Sequence, residues 1–171
     1  MVETRRERPE DIPGIRNLHD RAFGRSEEGA VVDRLREVCE GRVSLVAVAE
    51  GQIVGHVLFS PVVIVTGAGR EVSGMGLAPL AVLPECQRQG IGTELTRAGL
   101  AAIRQTLCSF VVVLGHPTYY PRFGFEPASR RGIRCRWDVP DEAFMVLVMD
   151  GEAMRGVSGL AEYRREFDDV T

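Results

Sequence analysis

Lysine is absent from this chain: all 21 basic residues among its 171 are arginine. That excludes a Schiff-base lysine as nucleophile and the lysine that a P-loop places on its phosphates. Also missing is any apolar run approaching the ~20 residues of a membrane-spanning helix. The segment Met1 to Pro9 lacks the apolar centre of a secretory signal, so a cytoplasmic protein is expected, with no membrane partner. Four cysteines, Cys39, Cys86, Cys108 and Cys135, stand far apart without C-x-x-C spacing. Neither a zinc site nor a compact disulfide framework is expected from them, and reduced structural thiols are. A net charge of −3 leaves no electrostatic footprint for nucleic acid.

What is present suits one soluble domain spanning residues 1–171, since the length buries one good core and is short for two. Val2–Arg8 reads as a first strand. Asp11 is placed to cap a helix carrying Ile12, Ile15, Leu18, His19 and Ala22 at helical spacing, and Ala30, Val31, Leu35 and Val38 form a second amphipathic set. Three β-rich runs follow, Val43–Ala49, Ile53–Val65 and Glu71–Val82, joined by Glu50-Gly-Gln52 and Gly67-Ala-Gly-Arg70, as an antiparallel meander. Residues Gly92–Leu107 predict an amphipathic helix. The buried strand Phe110–Leu114 then runs parallel to the strand before that helix, because a strand–helix–strand crossover makes it so. Further expectations are a helix between this strand and the next, strands at Arg134–Trp137 and Phe144–Met149, and a short helix around Leu160–Phe167. The fold class is therefore α/β with a mixed sheet, a meander followed by one parallel βαβ step.

The most informative segment is Leu80-Ala-Val-Leu-Pro-Glu-Cys-Gln-Arg-Gln-Gly-Ile-Gly92, an apolar strand, a turn, and glycines opening a helix. A helix start leaves N–H groups unpaired and carries partial positive charge, so it can hold an anion. Gly90 and Gly92 keep the approach clear, and Gln87, Arg88, Gln89 and Thr93 offer donors around it. A dinucleotide fingerprint would need a third glycine where Leu95 stands. Taken alone, a G-x-G at a helix start is equally a tight strand-to-helix turn.

Gln87-Arg-Gln-Gly-Ile-Gly92 resembles the Q/R-x-x-G-x-G/A acetyl-CoA loop of the GNAT superfamily of N-acetyltransferases. Tyr119-Tyr-Pro-Arg-Phe-Gly-Phe125, about 30 residues on, resembles that family's Y-x-x-x-G-F segment. The resemblance implies a GNAT-like acyltransferase fold whose two parallel strands, near Leu80–Val82 and Phe110–Leu114, part to admit acetyl-CoA. It implies cofactor contacts from the loop Gln87, Arg88, Gln89, Gly90, Ile91, Gly92 and Thr93, pairing of the pantetheine arm with backbone at Ala81 and Val82, and a flanking place for Phe123. It assigns Tyr120 the role of general acid toward the departing thiolate, while Tyr119 is read as packing. The implied reaction is acetyl transfer to a primary amine of an unidentified acceptor, without a metal. The rival reading is a catalytically idle acyl-CoA sensor.

The family often has an asparagine upstream of this tyrosine, where the chain has Gly115-His116-Pro117. Ser73–Val82 contains no acidic residue to act as base, which leaves water, or Glu27, Glu28 or Glu71. For His56 and His116 a packing role is favoured over a basic one. The run Arg130, Arg131, Arg134 and Arg136 reads as a solvated face, with an acidic ligand as the alternative. The oligomeric state is open, a two-fold homodimer being the commonest arrangement of soluble chains.

Overall fold

Valine-rich runs become strands and the 3.6-period segments become helices, in a computed structural model that describes residues 1–170. The order is β1 (Val2–Arg6), α1 (Ile12–Phe23), α2 (Glu27–Val38), β2 (Val43–Ala49), β3 (Gln52–Val65), β4 (Glu71–Val82), α3 (Ile91–Arg104), β5 (Phe110–Leu114), β6 (Glu126–Pro127), β7 (Ile133–Arg134), β8 (Phe144–Val148) and β9 (Gly159–Glu162). Contacts divide the chain into two compact units. One comprises Met1–Ser60, Ala78–Gln105 and Glu166–Val170; the other comprises Pro61–Leu77 and Thr106–Arg165. Strands β3 and β4 therefore contribute residues to both. Among the described residues no helix is long and apolar enough to cross a membrane.

In the first unit β1 runs antiparallel to β2, from Val2 opposite Ala49 to Arg6 opposite Leu45. Strand β2 runs antiparallel to β3, with a register shift between Ala47 and Val48. Helix α3 turns Ile91, Leu95 and Ile103 inward at helical spacing while Glu94, Arg97 and Arg104 stay exposed. It lies very close to β3. A Cβ added at Gly55 would stand 2.9 Å from both Ile91 and Leu95, and one added at Gly99 would stand 2.2 Å from the Phe59 ring.

The second unit contains the parallel step, in which Met75, Gly76 and Leu77 of β4 face Val111, Val112 and Val113 of β5. Strand β8 pairs antiparallel with β5 along its whole length, and β6 pairs with β8. The second half of β3 pairs antiparallel with β9, at Val63 opposite Glu162. Phe110, Val111, Val112, Met145 and Val146 fill the interior.

Four expectations are corrected. No α-helix separates β5 from the next strand; Pro121 and the left-handed Gly124 (φ 99°) confine that stretch to a 3-10 turn, Tyr120–Phe123. The helix expected around Leu160–Phe167 is instead β9 followed by a 3-10 turn, Arg165–Phe167. Its alternating burial is the period of a strand, and the free edge of β3 supplies the partner. The strand expected at Arg134–Trp137 shrinks to Ile133–Arg134. Finally, Asp11 stands at the α1 N-cap without making a side-chain cap bond. Its carboxylate accepts from Arg5 at 2.7 and 2.9 Å and from the Arg8 N–H at 2.7 Å.

The α3–β3 contact gives a prediction whose sign is not obvious. Replacing a helical glycine by alanine favours a helix by roughly 1 kcal/mol, but overpacking a filled core costs about 1–3 kcal/mol. Phe59 is fully buried and the added methyl would stand 2.2 Å from its ring, so overpacking should win. Gly99→Ala should lower the urea midpoint at unchanged m-value; a raised midpoint would show that the ring yields.

Candidate functional site

Strand β4 ends at Val82, and the Leu83 N–H donates to the Val54 carbonyl at 2.9 Å. Pro84–Cys86 makes a 3-10 turn, after which Arg88 (φ 63°) and Gly90 (φ 84°) both take left-handed backbone. For arginine that conformation is uncommon and costly. The loop is braced from within and from α1. The Gln87 amide donates to the Val82 carbonyl at 3.2 Å, Gln89 lies 3.5 Å from the Glu85 carbonyl, and Arg21 grips Glu85 at 2.8 and 3.0 Å. Thus Gln87 and Gln89, expected as donors to a ligand, turn their amides onto the loop.

Gly90 is the N-cap of α3 and provides no side-chain cap. The first bond of the helix ladder runs from the Glu94 N–H to the Gly90 carbonyl at 3.0 Å. The N–H groups of Ile91 and Gly92 are therefore outside that ladder. A Cβ at Gly90 would meet nothing within 4 Å, so space lies open in front of the helix end. The Ile91 side chain is buried and anchors this end, while Gly92 and Thr93 are half-buried and Gln87, Arg88, Gln89 and Gly90 exposed. Ala81 is buried and Val82 half-buried on the strand leading in. These nine residues thus form one continuous strand-to-helix device.

The second unit holds the aromatic segment. Tyr120 is buried, packed edge-on against Tyr119 at 5.0 Å and Phe125 at 5.8 Å, with Phe123 at 6.4 Å. A Cβ at Gly115 would come within 2.5 Å of the Tyr120 ring, so only glycine at 115 admits this ring position. Burial first, and then the neighbouring Tyr119, push the Tyr120 phenol well above its ordinary pKa. It therefore stays protonated at neutral pH. Tyr119 is half-buried and carries the Arg122 guanidinium 4.3 Å above its ring.

A polar chain that sequence spacing did not reveal crosses the first unit. Glu7 accepts from Arg36 Nε and from Ser44 Oγ. Ser44 Oγ lies 2.8 Å from His56 Nε2, and His56 Nδ1 lies 2.8 Å from His19 Nε2. Both histidines are fully buried. Burial alone would raise the Glu7 pKa, but His56 at 3.6 Å and the hydrogen bonds from Arg36 and Ser44 outweigh it and bring it down to about 2. An ionised carboxylate only accepts, so Ser44 donates to Glu7, His56 Nε2–H donates to Ser44, and His19 Nε2–H donates to His56. His19 Nδ1 is left buried without a partner. The signal in the sequence was slight: Ser44 and His56 are polar residues inside otherwise apolar strands. Glu28 is buried and ion-paired with Arg25, whereas Glu27, Glu71 and His116 are exposed. In the arginine run, Arg131 pairs with Glu126 and Arg136 stacks on Trp137 at 4.7 Å.

Comparison with known proteins places these features in company. Residues 3–128 match the model of a GNAT acetyltransferase domain. The chain is 40% identical over 163 residues to the uncharacterized N-acetyltransferase YhbS of Escherichia coli K12, covering 94% of this chain and 95% of that protein. The crystal structure of E. coli YhbS in complex with CoA superposes with a TM-score of 0.90 at 38% identity, over 99% of this chain and 93% of that one. A GNAT acetyltransferase from Brucella melitensis in complex with acetyl-CoA gives 0.79 at 35% identity, over 98% and 99%.

The buried chain predicts how stability depends on pH. Burial, then the charges of His56 and Arg36, lower the His19 pKa from 6.5 to about 3. Between those values the unfolded chain binds the extra proton, so stability should fall as pH drops below about 6.5. Glu7, depressed from 4.5 to about 2, adds a second loss below about 4.5. Urea denaturation from pH 7.5 to 5 should show a decline on the order of 1–2 kcal/mol. A flat profile would mean that His19 titrates normally in the fold.

Proposed function

Because this chain belongs to the GNAT family of acetyltransferases, we propose that it transfers an acetyl group from acetyl-CoA directly to a primary amine. The observation that carries the cofactor site is the uncapped start of α3, where left-handed Gly90 opens onto free space. The residues suit a pyrophosphate: N–H groups of Ile91 and Gly92 beyond the helix ladder, positive helix dipole, no side chain in the way. Arg88 adds a cation on the same loop. Ala81 and Val82 lie beyond Leu77, where the pairing of β4 with β5 ends, which leaves strand backbone for the amides of the pantetheine arm.

Acetyl-CoA supplies the activated thioester carbonyl. The neutral amine attacks that carbon, the C–S bond breaks, and the amine's proton leaves to solvent. Tyr120 gives its phenolic proton to the departing sulfur and takes one back from solvent. What supports this role is its place in Tyr-x-x-x-Gly-Phe and the burial that keeps the phenol protonated. Burial raises the proton affinity of a thiolate for the same reason, so the raised phenol pKa does not by itself oppose the transfer. Phe123 packs beside Tyr119 and flanks the cofactor in this reading.

Two measurements test the assignment separately. Gly90→Asp should weaken CoA binding by about tenfold or more in calorimetry, because it sets a negative charge where the pyrophosphate belongs. Gly90→Ala carries the same left-handed backbone cost without the charge and should weaken it less; equal affinity for wild type and Gly90→Asp would remove the loop from the site.

Tyr120→Phe should reduce kcat by about 10²–10⁴-fold while the CoA dissociation constant stays nearly constant, and Tyr119→Phe should be mild. An unchanged kcat with chemistry rate-limiting would transfer the proton donation to solvent. Tight CoA binding without turnover across a panel of amines would favour the acyl-CoA sensor.

A further inference from the structure

The first unit contains a cavity of about 450 Å³ whose lining includes Arg6, Glu7, Arg8, Arg36, Arg42 and Ser44. Four arginines and a single carboxylate, Glu7, are among its lining residues. Glu7 is already satisfied by Arg36 Nε and Ser44, so it places little demand on the other three cations. Arg42 Nη1 donates only to the Cys39 carbonyl at 2.8 Å. Arg6 and Arg8 form no ion pair among the described residues. Arg36 binds Asp33 through Nη1 at 2.6 Å, while its Nη2 is buried and makes no hydrogen bond. That nitrogen is closed off from solvent, so Arg36 is committed to Glu7 and Asp33.

This place is separate from the start of α3. Ser44 faces Leu58 on β3, whereas the cofactor loop leaves the sheet where Leu83 bonds Val54. Leu58 and Val54 are four positions apart on the strand, about 13 Å.

We propose that this cavity binds a phosphoryl group, free or esterified on a small molecule, with Arg6, Arg8 and Arg42 as its cations. The forked donors of arginine match the oxygens of a phosphate, and a dianion answers the surplus of positive charge better than a single carboxylate would. Arg36 also holds Glu7, from which hydrogen bonds run through Ser44 to His56 and His19. Glu7 and Ser44 both line the cavity, so a phosphoryl group beside them is felt at two buried imidazoles. The inference stands independently of acetyl transfer.

The test uses the full chain carrying Gly90→Asp, so that the start of α3 no longer offers an anion site. Inorganic phosphate, glycerol phosphate and acetate are titrated at constant ionic strength, by calorimetry and by NMR of the imidazole signals. The expected result is saturable binding of phosphate, acetate far weaker, with signals of His56 and His19 moving and that of His116 still. Tighter binding of glycerol phosphate than of phosphate would identify an esterified ligand, and the reverse a free anion. Adding Arg8→Gln should raise the phosphate dissociation constant about tenfold or more at an unchanged denaturation midpoint, and Arg42→Gln should raise it likewise with a small drop in midpoint for the lost bond to the Cys39 carbonyl. Arg6→Gln alone, on an exposed side chain, should weaken it in the same direction. The proposal is overturned by absence of saturable binding, by acetate binding equally well, or by affinity indifferent to the arginine variants. It is equally overturned if phosphate binds the wild type but not the Gly90→Asp chain, because the anion then sits at α3.

Discussion

Glu7 accepts hydrogen bonds from Ser44 and Arg36, and that acceptance fixes the direction of every bond behind it. Once the carboxylate is ionised, the serine proton, the His56 tautomer and the His19 tautomer follow in sequence. The residues involved come from the end of β1, from α2, β2, β3 and α1, so one chain of polar contacts pins five elements of the first unit. An apolar core would tolerate small slips of a helix along the sheet. This chain does not, because any slip leaves a buried ring nitrogen facing nothing. The bare Nδ1 of His19 is the one lone pair that the arrangement leaves unanswered.

Close approach without side chains is the second constraint. Gly55 and Gly99 remove the Cβ atoms that would stand between β3 and α3, so the helix beds directly onto the strand. Ile91, packed against Gly55, lies one residue after Gly90. The geometry of the helix start is therefore set by the core beneath it and not by the exposed loop residues around it. Arg21 on Glu85 and Gln87 on the Val82 carbonyl add bracing from the surface.

Much of this was legible in the sequence, and the reasons differ by element. Strands β2, β4 and β5 have the bounds that their β-branched runs suggest, because fully or half-buried strands leave a direct imprint on composition. The turn from Gln87 to Thr93 was legible as the entry to α3 because its two glycines stand between an apolar strand and an amphipathic run. The stretch from Gly156 onward was not: Leu160 and Ala161 lie in a segment too short to separate a period of 2 from one of 3.6, and its strand character comes from the open edge of β3, a tertiary fact. The Glu7–His19 chain was hidden for a related reason. His19 and His56 are 37 residues apart, and only the register of β2 against β3 sets Ser44 between the imidazole and the carboxylate. Asp11 had the right position for a cap, yet Arg5 and the Arg8 N–H compete for its oxygens, and two guanidinium nitrogens outbid one helical N–H.

The arginine pairs Arg5 with Asp11, Arg21 with Glu85, Arg25 with Glu28, Arg36 with Glu7 and Asp33, and Arg131 with Glu126 share a chemical property. A thioester acylates neutral amines, and a guanidinium is neither neutral nor an ordinary amine at any pH that a cell visits. With no lysine in the sequence, no side-chain ε-amine is exposed to the reactive ester of the family's cosubstrate. The electrostatic framework of the fold is thereby inert to acylation: its charges persist however much acetyl donor surrounds it, and none of the pairs above can be erased by stray modification.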